Sequence, residues 1–129
     1  MKLFHISDLH LGRQLHRFPL QEEQDAVLEY IRIAAEKEQP DAVLIAGDVY
    51  DRGIPPVYAT LSLDRFLEGL TRLPLTTFVI SGNHDSAERI AFGGRLMDGS
   101  GIHLSPVYNG TVEPISLTDE WGAVDVYLL

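Results

Sequence analysis

A chain of 129 residues, 45% hydrophobic and 22% charged, is long and apolar enough to build one globular domain, which excludes wholesale disorder. Ten Lys and Arg stand against 19 Asp and Glu, and the resulting formal charge of -9 argues against a protein that grips nucleic acid by bulk positive charge. No apolar run reaches the length of a membrane span or a signal-peptide core, and the absence of cysteine removes disulfides and fits a reducing cytoplasm.

Residues 2–7 read as a short strand ending before an irregular, Gly-containing stretch that carries Arg13, Gln14, His16 and Arg17. From Leu20 to Glu38 the pattern turns helical, with Val27, Leu28, Ile31, Ala34 and Ala35 on one face and Pro40 as the stop. Residues 41–46 form an apolar run, the signature of a strand buried on both faces. A second helix is expected after Pro55-Pro56, striped by Leu63, Phe66, Leu67 and Leu70 and closed before Pro74.

Residues 76–81 are β-branched and apolar, hence a third strand. A helix is expected from Ser86, weakened by Gly93-Gly94. Short strands follow at 102–104, 111–117 and 123–129. The fold class expected is therefore α/β: a parallel sheet with crossover helices, then strands of a second sheet packed on the first. The final run stops in mid-strand at Leu129, which suggests the front portion of a longer protein.

Each parallel strand is followed at once by polar residues of metal-binding type: Asp8-Leu9-His10, then Gly47-Asp48-Val49-Tyr50-Asp51, then Gly82-Asn83-His84-Asp85. The carboxyl ends of parallel strands share one edge of the sheet, so these clusters should converge in space. Asp, His and Asn supply hard oxygen and borderline nitrogen donors, suited to Mn, Fe or Zn. Singly they have plainer readings: a turn at Asp8, a helix cap at Asp48, a left-handed Asn83. Their occurrence in this order, each after a strand, is the discriminating signal. His5 and His103 read as structural residues, His5 within the core, and Tyr50 and Tyr58 as packing residues.

The three motifs resemble the first three of the calcineurin-like metallophosphoesterases, a resemblance running to about residue 98. Within that family, Ser7 to Gly12, Ala46 to Asp51 and Pro55 to Ala59 are similar to the DNA-nuclease branch. The resemblance implies the front half of a four-layer α-β-β-α sandwich holding two divalent ions, most simply Mn. Asp8 and His10 would bind one ion, Asp48 would bridge, and Asn83 would bind the other. His84 would act as proton donor to the leaving oxygen, oriented by Asp51. Arg52 matches a phosphate-gripping Arg of the related protein phosphatases, and Arg13, His16 and Arg17 are candidates for touching a nucleic-acid backbone.

The implied activity is two-metal phosphodiester hydrolysis at DNA ends in repair, recombination and replication. The implied partners are DNA, an SMC-like coiled-coil ATPase and a second copy of the protein, with no membrane. Two alternatives stay open: a phosphomonoesterase or protein phosphatase of the same superfamily, and an inert fragment serving as a binding module. The family's later Gly-His and Gly-His-x-His motifs do not occur here. Residues 1–129 are thus expected to be the N-terminal part of a nuclease domain, weak in metal binding and activity by themselves.

Overall fold

The computed structural model describes residues 1–129. Strand β1 (Leu3–Ile6) leads through a small hairpin, β2 (Gln14–Leu15) and β3 (Phe18–Pro19), into helix α1 (Gln21–Glu38). Strand β4 (Ala42–Ala46), helix α2 (Val57–Thr71) and strand β5 (Thr76–Ile80) follow. Two one-turn helices, α3 (Ala87–Ile90) and α4 (Gly94–Met97), lead to β6 (Ile102–Leu104) and a last hairpin, β7 (Ile115–Asp119) and β8 (Gly122–Val126).

The sheet runs β1-β4-β5-β6, every neighbour parallel, with Leu3 opposite Ala42, Ala42 opposite Thr76 and Thr77 opposite Ile102. Strand alternation then sorts side chains between two faces. Val43, Ile45 and Val79 face α1 and α2, whose Leu28, Phe66 and Leu70 complete the main core. Ala42 and Phe78 face the opposite way and pack with Ile115, Leu117 and Val126 of the β7–β8 hairpin. The result is three layers: helices, parallel sheet and antiparallel hairpin. A bond of 2.6 Å between the Met1 amine and the Asp119 carboxylate ties the hairpin to the start of β1. No helix is long and apolar enough to cross a membrane.

Several expectations change. Residues 13–19 form a hairpin rather than an irregular loop, with His16 and Arg17 at φ 49° and 71°, the hand that two-residue turns require. Val27 is exposed, because α1 meets the sheet through the narrower stripe of Leu28 and Ala35. His5 is exposed too, since β1 turns Phe4 and Ile6, not His5, toward the core. The helix expected from Ser86 breaks in two at Gly93, which takes φ 79°. Strand β7 begins at Ile115, not Thr111, because Pro114 has no N–H to donate to the ladder. Strand β8 ends at Val126, and the chain beyond it buries Leu128 against Ala42 and Phe78.

Candidate metal centre

Beyond β1 and β4 the backbone keeps pairing where the strands end. Asp8 N donates to Gly47 O, His10 N to Asp48 O and Leu11 N to Val49 O, and Asp51 N returns a bond to Leu11 O. The first two motifs are thus laid side by side as an irregular continuation of the sheet. The cost is local: Asp8, Asp48 and His10 take φ of 57°, 48° and 45°, a region that L-residues avoid by about 1–2 kcal/mol each. Such outliers persist only where the surroundings over-determine them, and they gather at functional sites.

The third motif is joined to the second by Asp85. Its carboxylate accepts from Val49 N at 3.0 Å, Tyr50 N at 2.8 Å and Gly82 N at 2.8 Å, so one side chain closes two loops. Gly82 lies directly against Asp48, and a Cβ there would collide with the Asp48 carboxylate and backbone nitrogen. Burial behind this junction pushes the Tyr50 phenol up from its ordinary value.

Asp8, His10 and Asp48 come together so that one donor atom of each lies within 4.8 Å of the others. Each carboxylate is held by one oxygen and offers the other to His10. Asp8 Oδ2 accepts from Ser7 Oγ at 2.6 Å, while Oδ1 stands 3.7 Å from His10 Nε2. Asp48 Oδ1 accepts from His84 N at 3.0 Å, while Oδ2 stands 3.8 Å from the same Nε2. These separations are too long for hydrogen bonds. They match the roughly 3–4 Å between donors that share one cation through bonds of about 2.0–2.2 Å.

His10 Nδ1 is buried without a hydrogen-bond partner, 3.6 Å from Asp51 Oδ1. A ring anchored through Nε2 would turn Nδ1–H toward that carboxylate, the support that metal-bound imidazoles commonly have. Two carboxylates, an imidazole with a carboxylate behind it and no Lys or Arg among them therefore fit a divalent cation. Asp8 leaves its side chain two-thirds exposed, so the cluster opens to solvent on that side.

His84 packs edge-on against His10, ring centres 5.0 Å apart. Its Nδ1 lies 3.1 Å from the backbone carbonyl of Asp51, which can only accept, so Nδ1 donates and Nε2 is the free end. Asp51 therefore reaches His84 through its backbone, and its carboxylate faces His10 instead. Asn83 is exposed on the same turn, and its φ is not left-handed. Arg13, His16, Arg17 and Arg52 are exposed on the neighbouring loops. His103 sits far off, stacked on Phe78 and 3.0 Å from Asp98. Tyr58 packs against the first motif and donates to Gly12 O.

Sequence reasoning places Asp85 near the site without its role, although its position in Gly-Asn-His-Asp is a signal. It includes Ser7 in the first motif stretch without its bond to Asp8, and it misses Gln24, which bonds the first motif loop and carries no motif of its own.

The calcineurin-like phosphoesterase family matches residues 1–126. The chain is 35% identical over 119 residues to SbcD, a component of the SbcCD nuclease, of Staphylococcus epidermidis, covering 92% of this chain and 32% of that protein. It is 34% identical over 130 residues to the protein of the same name from Staphylococcus saprophyticus, covering 100% and 34%. Against that of Escherichia coli K12 it is 38% identical over 86 residues, covering 67% and 22%. The chain thus spans about a third or less of the length of these relatives. A match that takes in all three strand-end motifs and nearly every residue of the three-layer unit carries one conclusion: the chain belongs to the calcineurin-like phosphoesterase family.

Proposed function

We propose that this chain supplies the first part of the catalytic domain of a metal-dependent DNA nuclease acting on DNA ends. The observation that carries the reading is the gathering of Asp8, His10 and Asp48, from two separate motifs, around one point with no cationic side chain among them. The relatives named as SbcD of the SbcCD nuclease support the nuclease over a phosphatase, and with it DNA as substrate and an SbcC-type coiled-coil ATPase as partner. In this reading residues 1–129 are the N-terminal part of the domain, because Asp8, His10, Asp48 and Asn83 are too few to coordinate a pair of ions. The remaining ligands would come from elsewhere in the full protein, which would act as a homodimer in the cytoplasm.

Asp8 and His10 would hold one ion, Asp48 would be shared, and Asn83 would hold the second, with Mn the metal best suited to this oxygen-rich set. Divalent ions bound there supply Lewis acidity toward a phosphodiester and positive charge against its anionic transition state. Asp51, its carboxylate 3.6 Å from His10 Nδ1, would steady the ring once Nε2 is engaged. His84, fixed by the Asp51 carbonyl, presents Nε2; in its imidazolium form that nitrogen gives a proton to the departing oxygen. Arg52 and the hairpin residues Arg13, His16 and Arg17 offer exposed cationic and polar groups for phosphate contacts.

The test compares Mn-dependent cleavage of linear duplex DNA with turnover of a phosphoserine peptide, using the full product of the reading frame that contains these residues. DNA cleavage lost on chelation and on Asp48→Asn is expected. Peptide turnover without DNA cleavage would overturn the nuclease reading.

A further inference from the structure

Across the first motif loop, three backbone groups are not reached by the sheet, and two of them, Leu9 O and Gly12 N, have no other backbone partner. The amides of Asp8, His10 and Leu11 are taken by the second motif, and Leu11 O by Asp51 N. The carbonyls of Leu9 and His10 and the amide of Gly12 point the other way, toward α1, although His10 O also accepts from Arg13 N at 3.1 Å within the turn. One side chain there meets all three. Gln24 Nε2 donates to Leu9 O at 3.2 Å and to His10 O at 2.6 Å, while Gln24 Oε1 accepts from Gly12 N at 3.1 Å.

Only a carboxamide can do this. Glu has no donor for the two carbonyls, Lys no acceptor for the amide, and Asn is a methylene shorter. The loop so gripped is the one in which Asp8 and His10 hold left-handed backbone angles. Its far side is closed as well: a Cβ on Gly12 would lie 2.8 Å from Pro56 Cδ, and Tyr58 Oη reaches Gly12 O at 3.3 Å. Gln24 is anchored in turn by the first turn of α1, where its own amide donates to Leu20 O.

We infer that Gln24 is a positioning residue for the Asp8–His10 arm of the metal centre: its carboxamide holds the strained loop in the one conformation that aims both side chains at Asp48. The metal part of this inference rests on the reading of Asp8, His10 and Asp48 as ligands; the loop-holding part stands on the hydrogen bonds alone. Supporting groups behind metal ligands commonly carry 10–100-fold of metal affinity.

The experiment uses the full product of the reading frame that contains these residues, with Gln24→Met, Gln24→Glu and a core control, Leu70→Val, chosen because Leu70 is fully buried in the helix–sheet core. Amide exchange by NMR without metal and Mn affinity by calorimetry are read for each. Both Gln24 variants should speed exchange at His10, Leu11 and Gly12 by at least tenfold, and Gln24→Met should weaken Mn binding by about tenfold. Leu70→Val should do neither. Unchanged exchange in both Gln24 variants overturns the inference, as does an equal loss of Mn affinity in Leu70→Val, which would mark a merely structural effect. A full-length wild-type protein that binds no Mn refutes the ligand assignment instead, and the exchange result still decides whether Gln24 holds the loop.

Discussion

Asp85→Asn isolates the joint between the second and third motifs. The native carboxylate accepts three backbone N–H bonds, two on Oδ2 and one on Oδ1, at 2.8–3.0 Å. Asn keeps the shape but has one acceptor oxygen. With that oxygen in the Oδ2 position, its NH2 group confronts the Tyr50 amide, donor against donor. One bond to a charged acceptor is lost, worth about 1.5–3 kcal/mol, and the amide of buried Tyr50 is left unpaired. The two surviving bonds lose their charge assistance.

A loss of about 2–4 kcal/mol follows, a large share of the roughly 5–15 kcal/mol that holds a domain together. Urea unfolding of the metal-free chain should show it as a midpoint lowered by roughly 1–2 M at unchanged slope. Asp51→Asn is the control, because the Asp51 carboxylate accepts no backbone bond and only faces His10 at 3.6 Å. It should change stability by less than about 1 kcal/mol. If Asp85→Asn loses no more than Asp51→Asn, the three short bonds do not hold the motifs together and the account of the joint is wrong.

Other outcomes follow from the same geometry. Asp48→Asn should weaken Mn binding at least tenfold in calorimetry while leaving the fold intact by circular dichroism, since Oδ2 serves only the cluster; equal affinity would exclude Asp48 as a ligand. Gly82→Ala should displace the Asp48 loop and cost more than about 2 kcal/mol in thermal unfolding, because the obstructing atoms include backbone. A variant as stable as the native chain would show that the loops are not in contact. The Met1–Asp119 pair sets a pH signature on the β7–β8 hairpin. The Asp119 carboxyl is held below its ordinary value, chiefly by its bond to the Met1 amine, and the amine is held above its own by the same bond. Stability from this pair is therefore present between about pH 4 and pH 8. It is lost as pH falls through the lowered carboxyl value and as pH rises through the raised amine value. Asp119→Asn should flatten that part of the stability–pH profile; an unchanged profile means the bond contributes nothing.

Much of this protein is legible in one dimension because its determinants are local. The alternation of α1, β4, α2 and β5 follows from Pro40, Pro56, Pro74 and the period of the apolar residues between them, which act within a few positions of themselves. The convergence of the metal-type clusters is legible as well, since a parallel sheet places successive strand ends on one edge whatever its register. What the pattern cannot carry is which way each group turns once it arrives there. That Asp51 sends its carboxylate to His10 and its carbonyl to His84 depends on the pairing of Leu11 with Tyr50 beyond the sheet. That Gln24 holds the His10 loop depends on where α1 crosses it, twelve to fifteen residues away in sequence. His5 and Val27, apolar-patterned yet exposed, depend on how narrow the contact between layers is. Periodicity and motif spacing are one-dimensional and name the residues that gather; hydrogen bonds across loops are directional and three-dimensional, so only the packed chain decides which atoms face each other.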